Sequence, residues 1–194
     1  MRIIAGSAKG RRLFSPSKQK RNLIRPTADR AREALFNIIA GKVNGAVILD
    51  LFAGTGALGL EALSRGAASA LFIDNHYEAI SLINRNLDAC SSQAVSTVLK
   101  RDLAGNLSFL RQYCPEQGFS IIFLDPPYKK GLGLKTLLCL GPGSFVADSG
   151  LVIVEEDSAC KLPAKAGRLT LYDQRCYGET GFWLYHLKRT EKNV

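Results

Sequence analysis

The 194-residue chain contains no apolar run near the roughly 20 residues that a membrane-spanning helix requires. Its first segment, residues 1–13, is basic and has no apolar core of signal-peptide length, so we expect a cytoplasmic protein. Apolar residues make up 46% of the chain and charged residues 22%, which is close to the globular norm and argues against disorder. The length suits one α/β domain with a small appendage.

Cysteine and histidine are too few and too scattered to predict a zinc site. The cysteines form no Cys-x-x-Cys pair, and His76 and His186 are the only histidines. We therefore expect reduced thiols and no bound metal. The five cysteines are Cys90, Cys114, Cys139, Cys160 and Cys176.

Acidic residues are almost absent from the first 32 positions. That segment holds ten Lys and Arg residues and one acid, Asp29, whereas the remaining 162 residues hold 16 basic and 16 acidic side chains. The whole net charge of +9 therefore belongs to the N-terminal sixth of the chain. Such a distribution is typical of a polyanion-binding arm on a neutral catalytic body, although a solvated, solubilising tail would look the same. We predict an appendage over residues 1–25 and a catalytic domain over residues 26–194.

Strand and helix signals alternate along the chain. Two short segments around a turn at residues 6–9 predict a basic β-hairpin, and a helix is expected from Pro26 to Gly41. Segments 168–175 and 181–187 alternate in polarity and predict a terminal antiparallel hairpin. Seven strands in a mostly parallel sheet with a terminal antiparallel hairpin are the arrangement associated with Rossmann-like class I methyltransferases, so we expect this α/β fold. The other predicted strands are 46–51, 69–73, 93–99, 119–124 and 150–155, and the other helices are 58–64, 77–89, 103–113 and 130–140.

A glycine-rich loop, Asp50–Gly59, follows an apolar strand and leads into a helix. Gly54 and Gly56 allow the turn and the close approach of a ligand, and Gly59 allows close packing of helix against strand. Asp74 ends the next strand 20 residues after Gly54, where a carboxylate can accept hydrogen bonds from both hydroxyls of a ribose. The spacing also fits a dinucleotide-binding fold, so the loop alone does not choose between cofactors.

Two acids favour S-adenosyl-L-methionine (AdoMet) over a nicotinamide dinucleotide. Asp50 would repel a pyrophosphate but could hold the ammonium group of a methionine moiety, and Asp102 is suited to accept from the adenine amino group. Alternatively, both acids are caps or turn formers at strand ends. The predicted cofactor site comprises Asp50, Phe52, Ala53, Gly54, Thr55, Gly56, Asp74, Asn75, Asp102 and Leu103.

An Asp-Pro-Pro-Tyr tetrapeptide, Asp125–Tyr128, directly follows the apolar strand predicted at 119–124. Ligands of open α/β sheets bind at the carboxyl ends of strands, so the tetrapeptide should lie beside the glycine loop. The amine of a nucleic-acid base is a poor nucleophile, because its lone pair is delocalised into the ring. Acceptors for its two N–H bonds, the Asp125 carboxylate and the Pro126 carbonyl, would help the nitrogen to pyramidalise and aim it at a methyl sulfonium.

The other two residues of the tetrapeptide support the same chemistry. Pro126 and Pro127 fix φ and hold the Pro126 carbonyl outward, and Tyr128 offers a flat face on which a base can stack. A rigid turn without chemistry is the other interpretation, although two prolines after a buried strand are an uncommon turn. The predicted catalytic residues are thus Asp125, Pro126, Pro127 and Tyr128, and by themselves they indicate amino-group methylation without identifying the base.

The chain resembles the RsmD family of bacterial 16S rRNA (guanine-N2)-methyltransferases. The Pro26–Asn37 segment is the most specific part of the resemblance, because the glycine loop and the tetrapeptide occur in other methyltransferases as well. Asp74 is a departure, since a glutamate is common at this position in the family. The matching segments are Ile4–Gly6, Gly10–Leu13, Arg25–Asn37, Asp50–Gly66, Leu124–Tyr128 and Tyr177–Thr180.

The resemblance implies AdoMet as the methyl donor and the N2 amine of a guanine in 16S rRNA as the acceptor. It also implies a small ribosomal subunit, assembled or assembling, as the partner, with the basic N-terminal hairpin holding RNA. We expect a monomer. The residues predicted to contact RNA are Arg11, Arg12, Lys20, Arg21, Arg25, Thr27, Arg30 and Arg32.

Three other functions remain open at this point. A methyltransferase of adenine N6 or cytosine N4 in RNA or DNA would share the tetrapeptide, but DNA enzymes commonly begin it with Asn and carry larger recognition domains than the about forty residues that precede the core here. An RNA-binding protein with a degenerate core is disfavoured by the intact motif residues. A nicotinamide oxidoreductase has only the glycine loop in its favour.

Overall fold

The computed structural model describes residues 1–16, 26–103 and 105–187, with only the backbone described for residues 26–28. Within these residues the strands form one eight-stranded mixed sheet in the order β3-β2-β1-β4-β5-β8-β7-β6. The five strands β1 to β5 pair with one another in parallel. β8 is antiparallel to both β5 and β7, and β6 is antiparallel to β7. The strands are β1 Val47–Leu51, β2 Ser69–Asp74, β3 Ser96–Lys100, β4 Phe119–Leu124, β5 Val146–Asp157, β6 Lys165–Ala166, β7 Leu169–Tyr177 and β8 Thr180–Leu187.

Helices cover both faces of this sheet, which explains why its central strands are apolar on both sides. One core, built around Ile48 and Phe123, packs against α1, α3 and α4, and a second core, built around Leu49 and Leu124, packs against α5. The fold predicted from the sequence is thereby confirmed. No helix in the described part of the chain is long and apolar enough to cross a membrane. The helices are α1 Pro26–Ile38, α2 Ala40–Val43, α3 Ala57–Ser64, α4 Tyr77–Cys90 and α5 Leu132–Leu140.

The helix predicted at residues 103–113 is wrong. Among the described residues of this segment, 103 and 105–113, the one helical element is a 3₁₀ turn, Ser108–Gln112. Leu103, Leu107 and Leu110 are buried in the core. Their spacing therefore indicated burial correctly, but not the type of secondary structure. The Asn106 side chain accepts hydrogen bonds from both the backbone N–H and the hydroxyl of Ser108, and such local bonding competes with helix formation.

Other differences from the predicted elements are small. β6 was missed because two residues carry no periodic signal, and it adds an eighth strand at the sheet edge. The helix expected up to Gly41 is divided into α1 and α2. The turn between β7 and β8 contains only Gly178 and Glu179, so it is tighter than the sequence suggested.

The N-terminal hairpin, residues 1–14, packs directly on the domain. Its ladder is a single antiparallel bridge, Arg2 with Arg12, and both Ile3 and Leu13 are buried in the core beside α1 and α3. Glu61 of α3, which is fully buried, accepts hydrogen bonds from the backbone N–H groups of two hairpin residues at 2.7 and 3.1 Å. The hairpin is therefore held in a fixed position against the domain.

Candidate active site

Four neighbouring strands each bring one carboxylate to the same edge and the same face of the sheet. Asp74 ends β2, Asp50 lies in β1, Asp125 follows β4 and Glu155 lies near the end of β5. Asp50 pairs with Phe72 of β2 and with Phe123 of β4. These two residues lie two positions before Asp74 and Asp125, so the Asp50 side chain is on the same face of the sheet as those two acids and lies deeper in it. Leu124 of β4 pairs with Val154 of β5. Asp125 and Glu155 directly follow this pair, so the two acids are neighbours.

A cavity of about 1160 Å³ opens at this edge. It brings together both halves of the predicted site, the cofactor loop and the tetrapeptide, as expected for the carboxyl ends of strands in an open α/β sheet. Nine of the fourteen residues predicted for cofactor binding and catalysis line it: Phe52, Gly54, Asp74, Asn75, Asp102, Asp125, Pro126, Pro127 and Tyr128.

The other five predicted residues are not part of the cavity lining. Asp50 is 1% exposed, Gly56 is buried, and Leu103 belongs to the core on the opposite face of the sheet. Ala53 and Thr55 are half-buried within the glycine loop, and the Thr55 carbonyl accepts a hydrogen bond from an α4 side chain. Direct contact with a cofactor remains a prediction for these five residues.

The glycine loop is tied to β2 through the Asp74 carboxylate. One oxygen accepts the Gly54 N–H at 2.9 Å and the other accepts the His76 N–H at 2.9 Å. Phe52 adopts φ 61°, a left-handed conformation that a bulky side chain rarely takes, and its side chain lines the cavity. Strained residues of this kind are characteristic of ligand sites, where surrounding contacts hold them.

Asp50 is a buried carboxylate with an unsatisfied oxygen. Its Oδ2 accepts the Gly59 N–H at 2.9 Å, whereas Oδ1 has no hydrogen-bond partner among the described residues. Burial, opposed by the Gly59 hydrogen bond, raises the pKa of Asp50 to about 7, with Asp74 and Glu155 adding charge repulsion. A Cβ atom at Gly59 would lie 2.3 Å from the Phe72 ring, so glycine is required there for α3 to pack close enough to make this bond.

The tetrapeptide residues sit in a strongly acidic environment. Burial raises the pKa of Asp125 well above its usual value, and the charges of Glu155, Asp50 and Glu156 add to this effect. The Tyr128 hydroxyl donates to Glu155 Oε1 at 2.7 Å and lies 3.4 Å from the Thr180 hydroxyl. Burial and the adjacent Glu155 charge raise the pKa of Tyr128, which therefore keeps its proton. These contacts fix the position of the ring at the cavity wall.

Sequence reasoning did not assign several residues that line the cavity. Glu155 carried a usable signal, because it is an acid at the carboxyl end of an apolar strand. The turn between β7 and β8 was predicted as a hairpin turn and as a segment that matches the family, but not as part of the site. It reaches the site because β8 runs antiparallel to β5 and pairs Thr180 with Asp157. The unassigned lining residues are Pro16, His76, Lys130, Leu132, Glu155, Gly178, Glu179 and Thr180.

The predicted RNA contacts divide by position. Arg11, Arg12 and Arg30 are exposed on two grooves beside the N-terminal hairpin, of about 560 and 540 Å³. Arg32 is only 5% exposed, and its guanidinium donates to the Arg2 carbonyl at 2.7 Å and to Asp29 at 3.0 Å, which ties the hairpin to α1. The remaining predicted contacts lie outside the described residues (Lys20, Arg21 and Arg25) or have no described side chain (Thr27).

Comparison with known proteins identifies the family. The model of the family described as "Conserved hypothetical protein 95" matches residues 1–186. The chain belongs to this family. This match, together with the relatives described next, confirms the resemblance to RsmD proteins drawn from the sequence.

Individual relatives match the chain over nearly its whole length. YlbH of Bacillus subtilis strain 168 is 38% identical and covers 95% of this chain and 98% of its own. An Escherichia coli K12 protein named "Ribosomal RNA small subunit methyltransferase D" is 36% identical, and the match covers 95% of this chain and 89% of that protein. The solved structure of yhhF from Escherichia coli superposes with a TM-score of 0.77 at 33% identity, covering 98% and 99%. SMU.776, solved in complex with SAH, shares the fold with a TM-score of 0.66 at 17% identity. The match covers 84% of this chain and 50% of the SMU.776 chain.

Proposed function

We propose that this protein transfers a methyl group from AdoMet to the N2 amine of a guanine in small-subunit ribosomal RNA, within an assembled or assembling subunit. One observation carries the proposal: the Asp125–Tyr128 tetrapeptide shares a single cavity with Asp74 and the glycine loop. The 36% identity to an enzyme named for methylation of small-subunit ribosomal RNA supports the choice of acceptor.

The cofactor half of the cavity suits AdoMet. Asp74 is fixed by two backbone N–H groups, and its remaining lone pairs can accept from the two ribose hydroxyls. The unsatisfied Oδ1 of Asp50 is a suitable acceptor for the methionine ammonium, since a buried polar atom without a partner calls for a ligand. Asp102 lines the cavity and would accept from the adenine amine. AdoMet, when bound, supplies an electrophilic methyl group on a cationic sulfur, which the row of carboxylates attracts.

The acceptor half holds and activates the base amine. Asp125 and the Pro126 carbonyl would accept its two N–H bonds, which aims the nitrogen lone pair at the methyl group. The positive charge that develops on the nitrogen lies next to Asp125, with Glu155 as its neighbour, and this preorganised negative field stabilises the transition state. The raised pKa of Asp125 suits a group that takes the proton from the methylated amine.

Tyr128 completes the base site. Its hydroxyl donates a hydrogen bond to Glu155, so the ring is held in one orientation before the base binds. A flipped base stacked on this ring would give up contacts in the RNA and gain a flat apolar surface in return.

The basic surface beside the N-terminal hairpin would hold the RNA backbone. Arg11, Arg12 and Arg30 are exposed there, and each can bind a phosphate. The hairpin is fixed to α1 and α3, so contacts to it position the RNA relative to the cavity. Arg32 would act indirectly, by holding the hairpin. Lys20, Arg21, Arg25 and Thr27 remain predicted contacts.

Labelled AdoMet distinguishes the possible acceptors. The protein is incubated with small ribosomal subunits that lack the modification, with deproteinised 16S rRNA, and with duplex DNA. We expect label in the subunits and none in the DNA. Transfer to DNA but not to RNA would contradict the proposal and favour an adenine-N6 or cytosine-N4 enzyme.

A further inference from the structure

Guanine differs from adenine and cytosine in the atom beside its exocyclic amine. In guanine the ring nitrogen N1 carries a hydrogen, so two neighbouring donors, N1–H and N2–H, point the same way. In adenine and in cytosine the corresponding ring nitrogen is an acceptor. A second carboxylate next to the one that binds the amine would therefore attract guanine and repel the other two bases.

Glu155 occupies that position. The register of β4 and β5 places it directly beside Asp125, and both side chains lie on the same face of the sheet and line the same cavity. The two strands that carry the acids are paired in the middle of the sheet, so the separation of the acids is fixed by the backbone ladder. Tyr128, the ring proposed to stack on the base, is hydrogen-bonded to Glu155, so a base on that ring would lie next to Glu155.

The Glu155 side chain is held in place by Tyr128. Its Oε1 accepts the Tyr128 hydroxyl at 2.7 Å, so the ring proposed to stack on the base also orients the acid. Burial raises the pKa of Glu155, but the Tyr128 hydrogen bond and the positive charge of Arg32 oppose that rise. Arg32 is itself fixed by Asp29 and the Arg2 carbonyl, which keeps its charge near the site.

We propose that Glu155 accepts the N1–H of the target guanine and is the residue that restricts methylation to guanine. This inference rests on the proposed function, because it assumes a base amine bound by Asp125. It assigns to the two acids different tasks: Asp125 binds the reacting amine, whereas Glu155 reads the neighbouring ring nitrogen.

The test uses an RNA substrate in which the target guanine is replaced by 2-aminopurine, a base that keeps the 2-amino group but has an acceptor at N1. The quantity measured is the ratio of kcat/KM for guanine to kcat/KM for 2-aminopurine. For the wild-type protein we expect a ratio of roughly 10 to 100, as for the loss of one hydrogen bond to a charged group. Glu155→Gln can rotate its amide to donate to N1 of 2-aminopurine, so its ratio should fall to about 1 or below.

Two further variants separate recognition from structural damage. Glu155→Asp keeps the charge and should keep a ratio above 1 even if both rates drop. Glu116→Gln removes the same charge from an exposed residue before β4, at the opposite edge of the sheet, and should leave the ratio unchanged. If Glu155→Gln lowers both rates by the same factor, Glu155 does not read N1 and the inference is overturned while guanine methylation stands. If the wild-type protein methylates adenine or cytosine instead, the inference and the proposed function both fail.

Discussion

Asp50 should make AdoMet affinity depend on pH. Its pKa of about 7 in the free protein means that the carboxyl is half protonated near neutrality. The methionine ammonium favours the ionised form, so binding must expel the proton wherever it is present. Below pH 7 the dissociation constant should therefore rise about tenfold per pH unit, and by about 25-fold between pH 7.5 and pH 5.5.

Calorimetry with AdoMet and with S-adenosylhomocysteine over this pH range measures the effect. S-adenosylhomocysteine has the same ammonium but no sulfonium charge, so an Asp50 effect should appear for both ligands. Asp50→Asn should bind both more weakly at pH 7.5 and should lose most of the pH dependence, because the amide does not titrate. A wild-type affinity that is flat from pH 5.5 to 7.5, or an unchanged slope in Asp50→Asn, would refute the assignment.

The same pKa has a consequence for stability. A carboxyl with a raised folded-state pKa stabilises the fold fully below its unfolded value near 4, and that contribution is lost as pH rises through about 7. A difference of three pH units corresponds to at most about 4 kcal/mol. In the absence of ligand, Asp50→Asn should therefore gain stability relative to wild type between pH 4 and pH 8, as measured by urea unfolding.

Three further changes test other parts of the account. Asp125→Ala should keep AdoMet and RNA binding but lower turnover at least about 100-fold, since the amine loses its charged acceptor. Replacing Arg11 and Arg12 by Gln should weaken RNA binding and make the slope of log Kd against log salt shallower by roughly 1.4 to 1.8, because two phosphate contacts are lost. Gly6→Ala should destabilise the fold by about 2–4 kcal/mol, because its Cβ would lie 1.7 Å from the Ser64 carbonyl oxygen and force the hairpin off α3.

Each of these has a result that counts against it. Turnover retained in Asp125→Ala would remove this residue from the chemistry. For the arm, a matched double variant of two exposed lysines near β6, Lys161→Gln with Lys165→Gln, should leave the salt slope unchanged. If both double variants change it equally, the arm is only a solvated basic surface. Urea unfolding of Gly6→Ala within 0.5 kcal/mol of wild type would mean that the hairpin contributes little to the fold.

The cluster of acids at the carboxyl ends of the parallel strands could be predicted, because the sequence signals for it are local. β1 is a short apolar run that contains Asp50 near its end, and β4 is an apolar run followed by Asp125. A strand that is buried on both faces has few alternatives. Once the strands are parallel, their carboxyl ends must share an edge, which brings Asp50, Asp74 and Asp125 together without further information. The glycine loop adds a spacing that constrains the turn itself.

Tertiary contacts were beyond the reach of such reasoning. Arg32 belongs to a basic segment and was assigned to RNA contact, yet it is buried, because its guanidinium finds partners in Asp29 and in the backbone of a hairpin 30 residues away in sequence. The bond between Tyr128 and Glu155 likewise joins residues 27 apart through the pairing of β4 with β5. That Asp50 lies one step deeper than Asp74 and Asp125 follows from the register of the strands and not from residue type.

Identification of the methylated nucleoside tests the central claim most directly. The gene is deleted in its host, and 16S rRNA from the deletion strain and from the parent is digested and compared by mass spectrometry, with the modified position mapped by reverse transcription. We expect one N2-methylguanosine to disappear from the deletion strain and to be restored by the wild-type chain but not by Asp125→Ala. An unchanged set of N2-methylguanosines, or the loss of a methylated adenine or cytosine in its place, would contradict it.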